Sequence, residues 1–252
     1  MKSFEEIKKS VLNDLKKRIE FLRDYDQKYP QYSEGTKHIV NSVLRSIDNI
    51  DDYTKQTIAR NARLLTKYGY HSTNPNTDDS ALFYDCGISA LGLNENDEVY
   101  KDLTVDYGIN SSNFKEREAY EQDPILKKIS DFYGLNLPSL EARNNCEMEV
   151  KRERKANSKK DDERIKKKKN GEISADQLNM LYFQDRLKCN DKEEKLALMN
   201  NALGFDLDGA SAFGYTSPND IKTHFDRQRE EYTAIISAGQ AKIEQSNTMR
   251  AL

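Results

Sequence analysis

The chain reads as all-α: a multi-helix bundle in which two helical subdomains are bridged by a long charged helix or linker. Two observations carry that reading. Apolar residues recur every three or four positions over much of the chain, the spacing of one helix face. Helix start and stop residues sit at the ends of those patterns, while no alternating strand pattern stands out. The expected boundaries are 1–138 for an N-terminal helical domain, 139–171 for a basic charged helix or linker, and 172–252 for a C-terminal helical domain.

Taken in order, Ser3 with Glu6 spells a capping box. Phe4, Ile7, Val11, Leu15, Ile19 and Leu22 then mark an amphipathic helix to about Tyr25, with Pro30 as its stop. A second helix is expected from about Ser33 to Ile50, with Ile39, Val40, Val43, Leu44 and Ile47 inward. A third is capped by Asp51 or Asp52, carries Ile58, Ala62 and Leu65, and stops at Gly69. Tyr70 to Asp79 has loop composition, and ALFYDCGISALGL is too short for its periodicity to decide between strand and helix. Shorter helices follow at about 96–107, 113–122 and 123–133, the last with Asp123 and Pro124 at its start and Gly134 after it. Beyond Gly171, Ser174 and Gln177 form a second capping box, Asn190 and Glu193 open a further helix that ends at Gly204, and Ser217–Pro218 start the last one.

The charged fraction is 33%, against about 25% for an average soluble domain. The 23 Phe and Tyr residues and the regular apolar spacing nevertheless point to packed cores rather than disorder. Cys86, Cys146 and Cys189 are widely spaced and form no CxxC pair, which argues against a disulfide framework or a zinc site and fits a reducing compartment. No metal or cofactor is expected. No apolar run approaches the length of a membrane span, and MKSFEEIKK lacks the apolar core of a secretory leader. A cytoplasmic location is expected, with nuclear import or delivery into a host cell as alternatives.

The strongest charge signal lies between Lys151 and Lys169, where eleven Lys or Arg face four Asp or Glu, a net +7 in a chain of net −3. Sparse apolar residues predict one long solvated helix, or two broken near Asn157. Arg154 and Lys155, then Lys166, Lys167, Lys168 and Lys169, have the spacing of a bipartite nuclear import signal. The same residues are candidates for contact with nucleic acid or another anionic surface, although no aromatic is interleaved for stacking.

Among candidates for chemistry, DCGISAL (Asp85 to Leu91) is similar to the nucleophile region of papain-like and ubiquitin-like-protein proteases. That resemblance implies a Cys86 thiolate at a helix N-terminus, and His71 is the nearest base upstream. GFDLDGASAF (Gly204 to Phe213) resembles the nucleophile motif of haloacid dehalogenase phosphatases at Asp206, Asp208 and Gly209. It departs from that motif at Ala210 and Ser211, and no apolar strand precedes it. TSPNDIKTHF resembles the second-helix start of J-domains without their His-Pro-Asp signature. The C-terminus, with Glu244 and a final Ala251-Leu252, is similar to the translocation signals of type IV secreted effectors.

The function expected is that of an intracellular helical interaction module or adaptor with a protein partner, of which delivery as a bacterial effector is one form. The alternative is a cysteine-dependent hydrolase or transferase using Cys86. The partner site is expected on the last helix, where Tyr232, Ile236 and Ile243 share a face and apolar companions thin out past Ile236.

Overall fold

The computed structural model describes residues 1–68, 89–94, 96–105, 123–207 and 217–250. Among them are eight α-helices, here α1 (Phe4–Lys28), α2 (Ser33–Asp48), α3 (Ile50–Tyr68), α4 (Glu98–Val105), α5 (Asp123–Tyr133), α6 (Leu140–Lys169), α7 (Ala175–Ala202) and α8 (Pro218–Arg250). Two 3-10 turns, Pro30–Tyr32 and Phe205–Leu207, complete them, and the described residues contain no strand. The fold is all-α, as the sequence predicts. The chain divides into two units: Met1–Leu140 with Met199–Pro218, and Glu141–Leu198 with Asn219–Leu252. The charged stretch therefore supplies one of the three long helices of the second unit.

The first unit is a bundle. The Ser3–Glu6 capping box is formed: the Ser3 backbone N–H donates to Glu6 Oε2 at 2.7 Å and the Glu6 N–H donates to Ser3 Oγ at 3.3 Å. Ile7, Val11, Leu15 and Ile19 of α1 bury against Val43 of α2, Ile58, Ala62 and Leu65 of α3, and Leu126 and Ile129 of α5. On α2 the buried positions include the small residues Thr36, Ser42 and Ser46; the Thr36 hydroxyl donates back to the Tyr32 carbonyl at 3.2 Å and that of Ser46 to the Ser42 carbonyl at 3.1 Å. Leu44, expected inward, points to solvent instead. Helix α5 ends in a Schellman motif at Gly134 (φ 62°), with the Leu135 N–H on the Ser130 carbonyl at 2.8 Å.

The end of α7 and the turn after it close on α3 in this unit. Gly204 adopts φ 69°, and a Cβ there would stand 2.3 Å from the Gln56 carbonyl oxygen. Gln56 Nε2 donates to Asn201 Oδ1 at 3.3 Å, and the Arg63 guanidinium lies 3.8 Å from the centroid of the Phe205 ring.

The second unit pairs α6 with α7 and α7 with α8. The α6–α7 hairpin turns on signals legible in the sequence. Gly171 (φ 77°) closes a Schellman motif, with the Gly171 N–H on Lys168 O at 3.0 Å and the Glu172 N–H on Lys167 O at 2.9 Å. Ser174 and Gln177 complete the second capping box. Helix α6 does not break at Asn157. Arg143, Val150, Asn157 and Arg164 recur every seven residues, buried or half-buried, with Cys146 and Glu153 three residues after the first two. That is the register of a coiled-coil seam whose occupants are mostly polar, so no apolar stripe marks it.

Asn157 faces Cys189 Sγ at 3.1 Å and the Asp185 carbonyl at 3.5 Å. Both contacts are long or weakly accepting, and its Oδ1 accepts only from the half-exposed Lys160 Nζ at 3.3 Å, so the amide gains little for its burial. We expect Asn157→Val to raise the urea midpoint, by about 1 kcal/mol of unfolding free energy, because it replaces an under-paired amide with a branched apolar group suited to the position. A lower midpoint would show that the amide bonds outweigh burial.

The helix expected to begin at Asn190 is instead the middle of α7, which runs unbroken from Ala175 to Ala202. Asn190 is 1% exposed; its amide donates to Gln228 Oε1 at 3.2 Å and its carbonyl oxygen accepts from Arg229 at 2.7 Å. The side chain that looked like a cap is engaged with α8. Helix α8 likewise continues past Ile236 to Arg250. At Gly239 a Cβ would lie 3.3 Å from Met180 Cβ, so this glycine permits close approach of α8 to α7.

Candidate functional site

The residues singled out in the sequence are distributed as follows. Cys86 and His71 lie outside the described residues, as do Asp208, Gly209 and the final Ala251-Leu252. Cys146 and Cys189 are free, buried thiols on the α6–α7 seam. Burial, then hydrogen bonding to Glu153, pushes the Cys189 thiol above the ordinary cysteine value, the opposite of nucleophile activation.

The basic run is not one surface. Arg154 turns toward α7 and donates from Nε to Glu193 Oε1 at 2.7 Å. Lys155, Lys166, Lys167, Lys168 and Lys169 are exposed, and the last four occupy the final turn of α6, where positive charge complements the helix dipole. To seat as an extended import signal, that turn would have to unwind.

The proposed docking stripe of the last helix is largely occupied within its own unit. The Tyr232 ring stands 5.1 Å from the Phe183 ring of α7, and burial pushes its phenol above the usual tyrosine value. Ile236 and Ile243 are half-buried, and between them Lys242 pairs with Asp176 at 3.7 Å. The thinning of apolar residues past Ile236 is answered by Gly239 against Met180.

What the sequence reading missed is at the far end of α1. Phe21, Tyr25 and Tyr29 are spaced four apart, so their side chains neighbour one another along the helix. The 3-10 turn at Pro30–Tyr32, closed by the Tyr32 N–H on the Tyr29 carbonyl at 3.0 Å, brings Tyr32 back beside them. Ring centroids are 6.3 Å apart for Phe21–Tyr25, 4.8 Å for Tyr25–Tyr29 and 6.3 Å for Tyr25–Tyr32. Lys28 Nζ lies 5.6 Å from the centroid of Tyr29, a cation–π contact.

None of these four rings belongs to the core cluster. Phe21 is 66% exposed and Tyr32 56%, with Tyr25 and Tyr29 above one third. Among the described residues, the three phenol hydroxyls make no hydrogen bond to protein. The signal was present as an aromatic at every fourth position, rotated off the Ile19–Leu22 core stripe.

No family model matches the chain, and no curated protein or solved structure matches it. Among the described residues no helix is long and apolar enough to cross a membrane.

Proposed function

We propose that the protein is a helical interaction module that binds a protein partner through the aromatic end of α1. The observation carrying this reading is the set of four neighbouring, solvent-facing rings at Phe21, Tyr25, Tyr29 and Tyr32. Contiguous exposed apolar surface of this kind marks interaction sites, and tyrosine is among the residues that concentrate binding energy there. Tyrosine supplies a rigid apolar face together with a hydroxyl for a polar rim. Asp24 and Lys28, exposed on the side of the helix next to the rings, add charged groups of both signs, the polar rim usual beside an apolar centre. The free thiols of Cys146 and Cys189 fit a reducing compartment, so we place the partner inside a cell.

The test uses the full chain as bait beside Phe21→Ala/Tyr25→Ala. Both positions are exposed in a helix, where Ala is favoured, so the fold is kept. Loss of two aromatic anchors is expected to weaken a captured partner by about 100-fold or more. Capture of the same partners at unchanged affinity by the variant would end this reading.

A further inference from the structure

Independently of the aromatic end of α1, we infer that the outer face of α6 is a docking surface for an anionic lipid bilayer. At 3.6 residues per turn, Lys151, Arg152, Lys155, Lys159, Lys166 and Lys169 fall within about 100° of arc. All six are exposed, and the arc lies opposite the seam positions Val150, Asn157 and Arg164 that face α7. Asp162 is the one acid on this arc between Lys151 and Lys169. Lys151 is paired to Glu147 at 2.9 Å, while Lys155, Lys159, Lys166 and Lys169 have no acid within ion-pair distance among the described residues. The sequence run mixed residues of different faces; folding pairs Arg154 and Arg164 with carboxylates of α7 and leaves a ladder of cationic groups outward.

Three features of this face select the occupant. First, the stripe keeps to one face of α6 for about 27 Å, eighteen rises of about 1.5 Å, so a flat charged plane can meet the whole of it. A duplex backbone winds away from such a line. Second, Met148 lies on the same arc at 48% exposure, and Ile165, about 40° beyond it, is 43% exposed. Apolar groups beside a basic stripe enter the headgroup boundary of a bilayer, and they gain nothing against phosphates of nucleic acid. Third, the charge is lysine in five of six places, and lysine acts as a hydrated point charge without the bidentate geometry used for base edges. No aromatic lies on the arc to stack on a single strand. Each basic group near an anionic surface is worth about 1 kcal/mol, which is about fivefold in affinity.

The experiment is sedimentation of the full chain with vesicles of phosphatidylcholine containing about 30% phosphatidylserine, with pure phosphatidylcholine vesicles and a mixed-sequence DNA duplex alongside. Binding to the anionic vesicles alone is expected, falling steeply as salt is raised. Lys155→Gln/Lys159→Gln is expected to weaken it by about 25-fold. Lys167→Gln/Lys168→Gln removes the same charge from the same helix but off the arc, and is expected to weaken it by less than about threefold. Circular dichroism checks that all variants stay helical. Absence of binding to the anionic vesicles, or equal loss from both pairs, would overturn the inference. Tighter binding to the duplex than to the vesicles would give the face to nucleic acid instead.

Discussion

Gly204→Ala is expected to cost about 2–5 kcal/mol of the first unit's stability, a large share of the roughly 5–15 kcal/mol that holds a domain together. Two effects add. Gly204 sits at φ 69°, where an L side chain pays about 1–2 kcal/mol. The new Cβ would also stand 2.3 Å from the Gln56 carbonyl oxygen and 2.9 Å from the Arg60 backbone nitrogen. Those are backbone atoms of α3, whose Ile58, Ala62 and Leu65 are fully buried, so they cannot turn aside. Overpacking that forces a backbone shift costs a further 1–3 kcal/mol or so.

Gly171→Ala separates the two effects. It has the same handedness at φ 77°, with nothing within 4 Å of the added Cβ, so it is expected to lose only about 1–2 kcal/mol. Urea denaturation of both variants checks this. If Gly204→Ala loses no more than Gly171→Ala, the return of the chain from α7 onto α3 is looser than described.

The contrast between these glycines also explains what was legible in the sequence. Gly134 and Gly171 end helices by bonding within six residues of chain, and Ser3–Glu6 and Ser174–Gln177 start them within four. Such signals complete themselves locally, so the residues alone announce them. Asn190 carries the same local cue, followed by Glu193, yet its amide is engaged by Gln228 and Arg229 of α8, some forty residues away. Tertiary pairing overrode the cap.

Helix α7 hid its packing for a related reason. It is covered by α6 on one side and α8 on another, so no single apolar face is left to read. On α6 the seam is set by a seven-residue recurrence filled with Arg143, Asn157 and Arg164, and a search for apolar residues passes over it. Gly239, a poor helix former by propensity, is against Met180 the condition for close packing. The aromatic end of α1 was overlooked because Phe21 and Tyr25 continue an already apolar helix; only their rotation off the Ile19–Leu22 stripe sets them apart.

That polar seam is where the second large effect is expected: Asp185→Ala should open the α6–α7 pair by about 3 kcal/mol. Asp185 is 5% exposed, and its carboxylate faces Arg164 Nη1 at 2.8 Å, Lys160 Nζ at 3.5 Å and Lys188 Nζ at 3.8 Å. The 2.8 Å contact to Oδ2 is ionic rather than a directed hydrogen bond, since that oxygen has no well-aligned donor. Lys160 and Lys188 are more than half exposed at the rim and add little. Arg164 is the partner that matters: at 18% exposure it also donates to the Leu181 carbonyl at 3.3 Å, which fixes it over the seam. Removing the carboxylate leaves that guanidinium, in a poorly solvated place, with only the Leu181 carbonyl and the longer 3.5 Å contact to Asp161 on its own helix. Replacing both charges together removes the penalty, so Asp185→Leu/Arg164→Leu is expected to return to within about 1 kcal/mol of the native value or above it. The buried thiol of Cys189 reports this locally, without requiring the two units to unfold as one. In a Cys86→Ser/Cys146→Ser background, Cys189 labelling by a thiol reagent is expected to quicken about 100-fold in Asp185→Ala, since each 1.4 kcal/mol of opening is about tenfold. The double variant should label close to the background rate. Unchanged labelling in Asp185→Ala would mean that apolar burial on the seam, as at Val150, holds the pair and that the buried charge is incidental to it.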